Sequence, residues 1–193
     1  MALKTLVKVG NISNLSDARY CAGMGVDMLG FTVIEGQPHY IPSKLYQDLR
    51  GWVAGPTFIA ELYGLKSSED LSSILEDYKP DLLEVGISEL QLITAAVQQH
   101  LMVRIGTPND LEMMMPLHDK IKFVIIDESN KDIIHRIAEH FPVILTLQTI
   151  SSLQLLETIE VKGIALSGSP EIRPGFKDYG DLADVLEQLE TDS

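Results

Sequence analysis

Thr57–Val85 reads TFIAELYGLKSSEDLSSILEDYKPDLLEV, and this stretch decides the fold. Thr57–Leu62 is a short, almost unbroken apolar run, the pattern of a strand covered on both faces. Leu71, Ile74, Leu75 and Tyr78 then recur at i, i+3, i+4 and i+7, which places them on one helix face. Ser67, with Asp70 three residues on, marks where that helix starts. Asp81–Val85 is a second buried run. Strand, amphipathic helix and strand in this order form a parallel β-α-β unit.

The same alternation continues in both directions. Thr5–Val9, Asp27–Val33, Leu101–Ile105, Lys122–Ile126, Pro142–Leu147 and Val161–Leu166 bring the expected strands to eight. Leu182, Val185, Leu186 and Leu189 repeat the helical spacing, while Ile133, Ile134, Ile137 and Phe141 leave the opposite face to Lys131, Arg136 and Glu139. Asn14 with Asp17, Ser88 with Gln91, and Thr107-Pro108-Asn109-Asp110 supply further start signals. Two architectures fit, a closed (β/α)8 TIM barrel and an open doubly wound sheet. Eight units favour the barrel, with short loops, because 193 residues lies below the ~250 typical of that fold. No proline-rich or serine-rich linker divides the chain, so residues 1–193 are expected to form a single barrel domain.

Composition narrows the function. Hydrophobic residues make up 45% of the chain and charged residues 22%, values that suit a globular core. The formal net charge of −13 argues against nucleic-acid partners and against an anionic membrane surface. A small anionic ligand is compatible with it, since a local basic site can sit in an acidic protein. The lone Cys21 cannot form an internal disulfide, which suits a reducing compartment. It lies at helical spacing from Asp17 and Gly25 and reads as a packing residue. MALKTLVKVGN lacks the apolar core of a signal peptide, and Phe123–Ile126, the longest apolar run, is far short of a membrane span. A cytoplasmic protein is expected. There is no glycine-rich dinucleotide fingerprint and no metal-ligand histidine pair, so neither cofactor nor metal is expected.

In a barrel, function lies at the C-terminal strand ends. Lys8, Glu61, Glu84, Arg104 and Asp127 each fall near such an end. Charges in apolar strands are costly unless paired or facing a cavity. They form either the polar mouth of a site or an ion cluster that fills the upper barrel. Asp127 is the sharpest candidate, as a general acid or base. The competing role is an N-cap for the following helix, shared with Ser129. A second candidate is Ser167-Gly168-Ser169-Pro170-Glu171, whose small residues let backbone N–H groups converge. There Pro170 would open a short helix facing phosphate; the alternative is a plain capped turn. His39, in a loop, is placed to contact substrate, and Met113–Met115 reads as helix packing.

The two ends of the chain resemble the phosphoribosylanthranilate isomerases, the barrel enzymes of tryptophan biosynthesis. The resemblance runs through Lys8-Val9-Gly10-Asn11-Ile12-Ser13-Asn14-Leu15-Ser16-Asp17-Ala18, where the family has lysine-x-cysteine-glycine-isoleucine-threonine-asparagine. It continues through Gly25–Phe31 and Tyr40-Ile41, and returns in Leu166–Glu171 and Pro174–Asp178. The middle matches in element order only. The resemblance implies an Amadori rearrangement without cofactor, with a cysteine as general base and an aspartate as general acid. Asp127 stands in the acid's place, but Gly10 stands in the cysteine's, and Cys21 is too far along the first helix to substitute. His39 replaces an arginine that binds the anthranilate carboxylate, and Val85 replaces a histidine. Thr146-Leu147-Gln148-Thr149 replaces a glycine-rich phosphate loop, and the glycine-rich segment after the sixth strand is missing. The expectation is therefore a degenerate isomerase-like protein with weak or no standard activity. Asp127 is its catalytic candidate, and Lys8, Gly10, His39, Glu84, Arg104, Ser167, Gly168 and Ser169 are its binding candidates. Its expected partner is a phosphorylated small molecule, and its expected state is a monomer or homodimer. The alternatives are an active isomerase, a related enzyme pairing Asp127 with Lys8, Glu84 or Arg104, and a non-catalytic binding or regulatory barrel.

Overall fold

A computed structural model describes residues 3–93, 97–168, 171–173, 176–177 and 180–190. Eight parallel strands close into a barrel: β1 (Leu6–Gly10), β2 (Met28–Thr32), β3 (Thr57–Glu61), β4 (Leu82–Gly86), β5 (His100–Ile105), β6 (Ile121–Asp127), β7 (Val143–Thr146) and β8 (Gly163–Ser167). They pair in chain order and β8 returns to β1, with Leu6 opposite Gly163 and Gly10 opposite Ser167. This is the (β/α)8 TIM barrel, and the open sheet is excluded by the β1–β8 pairing.

The near-continuous apolar runs serve two cores. Outward residues such as Val7, Val9, Phe31, Phe58, Leu83 and Val103 pack beneath the helices. Inward residues Met28, Ile59, Leu82, Met102, Phe123, Ile125, Ile144 and Ala165 fill the barrel. At the lower rim, one device recurs. Asp27, just before β2, accepts the Val7 amide of β1 at 2.8 Å, and Asp81, just before β4, accepts the Phe58 amide of β3 at 2.8 Å. Each carboxylate takes up an amide where its strand enters the sheet.

The helices are long early and short late. α1 (Leu15–Gly23), α2 (Ser43–Trp52) and α3 (Ser68–Tyr78) are regular. Asn14 and Ser67 cap α1 and α3 as expected, accepting from the amides of Asp17 and Asp70. Between β4 and β8 the described residues form only α4 (Ile87–Leu90), α5 (Asp110–Met114) and α6 (Ile134–Ala138), eked out by 3-10 turns at Met115–Lys120, Glu128–Ile133 and Ile150–Glu157. α7 (Gly180–Gln188) buries Leu182, Val185 and Leu186. No helix among the described residues is long and apolar enough to cross a membrane.

Several local expectations change. α4 starts directly at the end of β4, so its cap is Gly86 rather than Ser88. Glu89, not Gln91, reaches back to the Gly86 amide at 3.1 Å. α5 starts at Asp110 rather than Pro108, because the Asp110 carboxylate turns back to the amides of Gly106 and Thr107 at 3.0 and 2.9 Å. Only Met114 of the three methionines is buried; Met113 and Met115 are exposed. The segment after β8 continues as strand β9 (Glu171–Arg173), paired antiparallel with β10 (Phe176–Lys177), and not as a helix.

Candidate functional site

Alternate residues of a strand face the barrel interior, so Lys8, Glu61, Glu84, Arg104 and Asp127 all enter it one layer above the apolar filling. The structure joins them into one chain of ion pairs across β1, β3, β4, β5 and β6. Lys8 Nζ donates to Glu61 Oε1 at 2.7 Å and also contacts Glu84 Oε2. Arg104 Nη2 lies 3.5 Å from Glu84 Oε1, and Arg104 Nη1 donates to Asp127 Oδ1 at 2.5 Å and to Thr146 Oγ1 at 3.1 Å. Tyr63 bridges the middle: its hydroxyl donates to Glu84 Oε1 and accepts from Arg104 Nε at 2.9 Å. Thr32 Oγ1 donates to Glu61 Oε2 at 3.3 Å.

The chain has a buried half and an open half. Lys8, Glu61 and Glu84 are buried, whereas the Arg104 and Asp127 side chains retain 28% and 37% of their exposure. The strand-end charges thus divide into two groups. Lys8, Glu61 and Glu84 form the ion cluster that fills the upper barrel, and Arg104 with Asp127 forms the floor of a cavity. Asp127 directly precedes the 3-10 turn at Glu128, but its side chain makes no capping bond; its carboxylate is held by Arg104.

The charge pattern holds Lys8 and Glu84 ionised. Burial works to lower the Lys8 pKa, but Glu61 and Glu84 together outweigh it and raise it. Burial likewise works to raise Glu84, and Lys8 and Arg104 outweigh it, so its pKa falls. Burial and then Glu84 raise Tyr63, which keeps that phenol protonated. The linkage has a definite sign. Glu84 stabilises the fold above its ordinary 4.5 and loses that contribution as pH falls through its lower folded value. Lys8 stabilises it below its ordinary 10.5 and loses that contribution as pH rises through its higher folded value. Urea titrations should therefore give a stability plateau between these limits with an acid limb, and Glu84→Gln should flatten that limb.

Gly10 and Gly30 make the space for this cluster. A Cβ at Gly10 would lie 2.7 Å from Glu61 Oε1 and 3.3 Å from Lys8 Nζ; one at Gly30 would lie 2.1 Å from Glu61 Oε1. The carboxylate of Glu61 thus occupies the room that a side chain at position 10 needs.

Above Arg104 and Asp127 lies a pocket of about 910 Å³ at the C-terminal strand ends. Tyr63, Thr146, Gln148, Ser167, Gly168 and Asp181 give it polar surface. Leu147, Ile150, Leu166, Leu182 and Val185 give it an apolar wall. Of the expected site residues, Asp127, Arg104, Ser167 and Gly168 meet here. Lys8 and Glu84 lie beneath the pocket, and Gly10 is not in its lining. His39 sits on an exposed turn with φ +62°, also outside the lining. Val85 points into the outer core. Ser169 falls outside the described residues. Tyr63, Thr146 and Asp181 were not expected. Tyr63 and Asp181 lie beyond the strand ends, where no periodic pattern marks them. Thr146 could have been found from its parity with Ile144.

The sequence expects backbone N–H groups of Ser167–Glu171 to converge on a phosphate; of these the Gly168 amide is engaged within the protein, as are two amides of the loop after β7. Gly168 N donates to Gly10 O at 2.8 Å, Leu147 N to Ala165 O at 3.0 Å, and Gln148 N to the Glu128 carboxylate at 3.4 Å. No cluster of three or more metal-ligating side chains occurs among the described residues.

No family model matches the chain. It is 23% identical to the N-(5'-phosphoribosyl)anthranilate isomerase of Synechococcus sp. (strain JA-2-3B'a(2-13)), over 96% of this chain and 91% of that protein. Among solved structures it is similar to the phosphoribosylanthranilate isomerase of Thermotoga maritima, with a TM-score of 0.77, 14% identity, and 96% and 98% of the two chains covered. A phosphoribosylanthranilate isomerase solved in complex with reduced 1-(o-carboxyphenylamino)-1-deoxyribulose 5-phosphate gives a TM-score of 0.75 at 15% identity, covering 95% and 97%. The similarity spans the whole barrel, including the middle strands, where the sequence resemblance rests on element order alone.

Proposed function

We propose that this chain, a divergent relative of the phosphoribosylanthranilate isomerases, is a small-molecule-binding barrel with a degenerate site and weak or no standard isomerase activity. The observation that supports this is the position of Glu61. The resemblance puts the family's general base at Gly10, which has no side chain to take a proton, and the Glu61–Lys8 pair occupies the room beside it. Neither member of that pair is a free replacement base. Both are buried, and each is engaged by the other. Asp127 keeps the place of the general acid and borders the pocket, so it is the group positioned to hold or move a proton on a bound molecule. One barrel domain over residues 1–193 is part of the same proposal.

Loss of a general base typically lowers the rate by about 10²–10⁴-fold. Steady-state turnover of freshly prepared phosphoribosylanthranilate by the full chain should therefore fall at least that far below an ordinary isomerase. Ordinary turnover that disappears in Asp127→Asn overturns the proposal. A second reading keeps a phosphorylated ligand in the pocket. Arg104 on the floor favours it, as does the isomerase solved with a phosphorylated compound. Saturable binding of ribose 5-phosphate, weakened by Arg104→Met, is its expected result.

A further inference from the structure

We infer, on the reading of this pocket as the ligand site, that Tyr63 is the positioning residue of the pocket floor: its hydroxyl stands between the Arg104 guanidinium and the buried Glu84 carboxylate, and so holds Arg104 against Asp127.

Tyr63 joins the buried and open halves of the ion-pair chain through one oxygen. It donates to Glu84 Oε1 and accepts from Arg104 Nε at 2.9 Å. Only a protonated phenol can do both at once, and burial and Glu84 keep it protonated by raising its pKa. The residues on either side of Tyr63 are tied to the next β-α unit. Leu62 N donates to Glu84 O at 2.8 Å, and Gly64 N donates to Glu89 Oε1 at 3.0 Å. Glu89 is itself buried, and its Oε2 accepts from Gly86 N at 3.1 Å and Ser88 Oγ at 2.8 Å. The backbone that carries Tyr63 is therefore fixed to β4 and α4, and the hydroxyl does not simply follow Arg104.

Distances around Arg104 show what that oxygen does. Nε and Nη2 lie along one edge of a guanidinium, and this edge can pair side-on with a carboxylate. Here the edge does not close on Glu84. Nε goes to Tyr63, and Nη2 stays 3.5 Å from Glu84 Oε1. Nη1, on the other side of the fork, then reaches Asp127 Oδ1 at 2.5 Å and Thr146 Oγ1 at 3.1 Å. Without the hydroxyl, the buried Glu84 loses a donor and Arg104 Nε loses its acceptor. A buried carboxylate oxygen left without a donor costs more than one that water can reach, and the partly exposed Asp127 can turn to water. Arg104 then closes side-on upon Glu84 and draws Nη1 away from Asp127. The Arg104 Cζ lies 6.0 Å from the centroid of the Tyr63 ring, a contact that phenylalanine keeps. Tyr63→Phe thus removes the spacer and leaves the packing.

The experiment is a double-mutant cycle read by urea unfolding of the full chain without ligand. Arg104→Met and Asp127→Asn are made singly and together, first with Tyr63 in place and then in Tyr63→Phe. With Tyr63 the two substitutions should be coupled. In Tyr63→Phe most of that coupling should be lost. Adding Glu84→Gln, which removes the charge that draws the guanidinium inward, should restore part of it. A tyrosine that merely packs would lower the urea midpoint of every variant alike and leave the coupling intact. That result overturns the inference, as does an absence of coupling in the native chain. If a member of the cycle does not fold, the crystal structure of Tyr63→Phe decides. Arg104 Nη2 within hydrogen-bond distance of Glu84, with Nη1 withdrawn from Asp127, is the expected result; Arg104 in its present place overturns the inference. Neither measurement uses a ligand or turnover, so the ligand-site reading and the isomerase assay fail or succeed separately.

Discussion

Lys8→Met should destabilise the barrel by about 3–5 kcal/mol, the largest effect expected of any single substitution here. Among the described residues Lys8 is the one cation in contact with both Glu61 and Glu84, and all three are buried. Removing it leaves two carboxylates close together in the upper barrel; Glu84 keeps the Tyr63 hydroxyl and Arg104 at 3.5 Å, and Glu61 keeps the Thr32 hydroxyl at 3.3 Å. Buried charges left without a partner lose far more than the intact pair contributes, because desolvation is no longer offset. The variant should respond to pH in the opposite sense to the native chain. Without Lys8, Glu84 loses the first cation that holds its pKa down, so mild acid should neutralise it and recover part of the lost stability. Urea denaturation of Lys8→Met at several pH values checks both statements. Adding Glu61→Gln and Glu84→Gln should return most of the loss. If Lys8→Met alone unfolds at the native urea midpoint, the buried cluster is not what holds the upper barrel.

Gly10→Cys should fail to restore isomerase activity and should itself cost stability, on the order of 1–3 kcal/mol. The substitution puts back the residue type that the resemblance assigns as general base, so a site that had lost only that side chain would regain turnover. Here the new Cβ would begin 2.7 Å from Glu61 Oε1. Glu61 cannot swing away freely, because Lys8 and Thr32 hold its two oxygens. Shortening Glu61 should matter more than adding the thiol. Gly10→Cys with Glu61→Ala should remove the clash, yet it leaves Lys8 with Glu84 alone. Thermal unfolding and turnover measured on the single and double variants separate the steric effect from the chemical one. Rapid turnover by Gly10→Cys alone would mean that the cluster yields easily, contrary to its burial.

The two experiments probe one arrangement. Glycines at positions 10 and 30 and the Lys8–Glu61–Glu84 cluster depend on one another: the cluster fits only where Cβ atoms are missing, and the missing Cβ atoms would leave a void without the cluster. An interior filled in this way keeps the barrel closed while moving the chemistry upward, to the Arg104–Asp127 floor of the pocket.

The sequence alone determines the string of eight β-α units. Apolar runs and amphipathic segments are local patterns: Phe58 and Ile59 must face opposite sides of a strand whatever happens elsewhere, and Leu71, Ile74 and Tyr78 share one helix face by geometry alone. The same parity puts Lys8, Glu61, Glu84, Arg104 and Asp127 at the C-terminal ends of their strands, and all the expected strands lie within two residues of their observed limits. Short start signals were less certain, as Ser88 and Pro108 illustrate, because competing carboxylates at Glu89 and Asp110 lie one or two residues away.

Only the tertiary structure decides what those charges do. Whether Asp127 caps a turn or faces a cavity depends on Arg104, on a neighbouring strand. That Glu61 fills the space beside Gly10 depends on how β1, β2 and β3 are staggered when the barrel closes. The Gly168 amide meets the Gly10 carbonyl for the same reason, since β8 and β1 join only on closure. Periodicity fixes which way a side chain points. Register and closure, which involve strands dozens of residues apart, fix what it meets there.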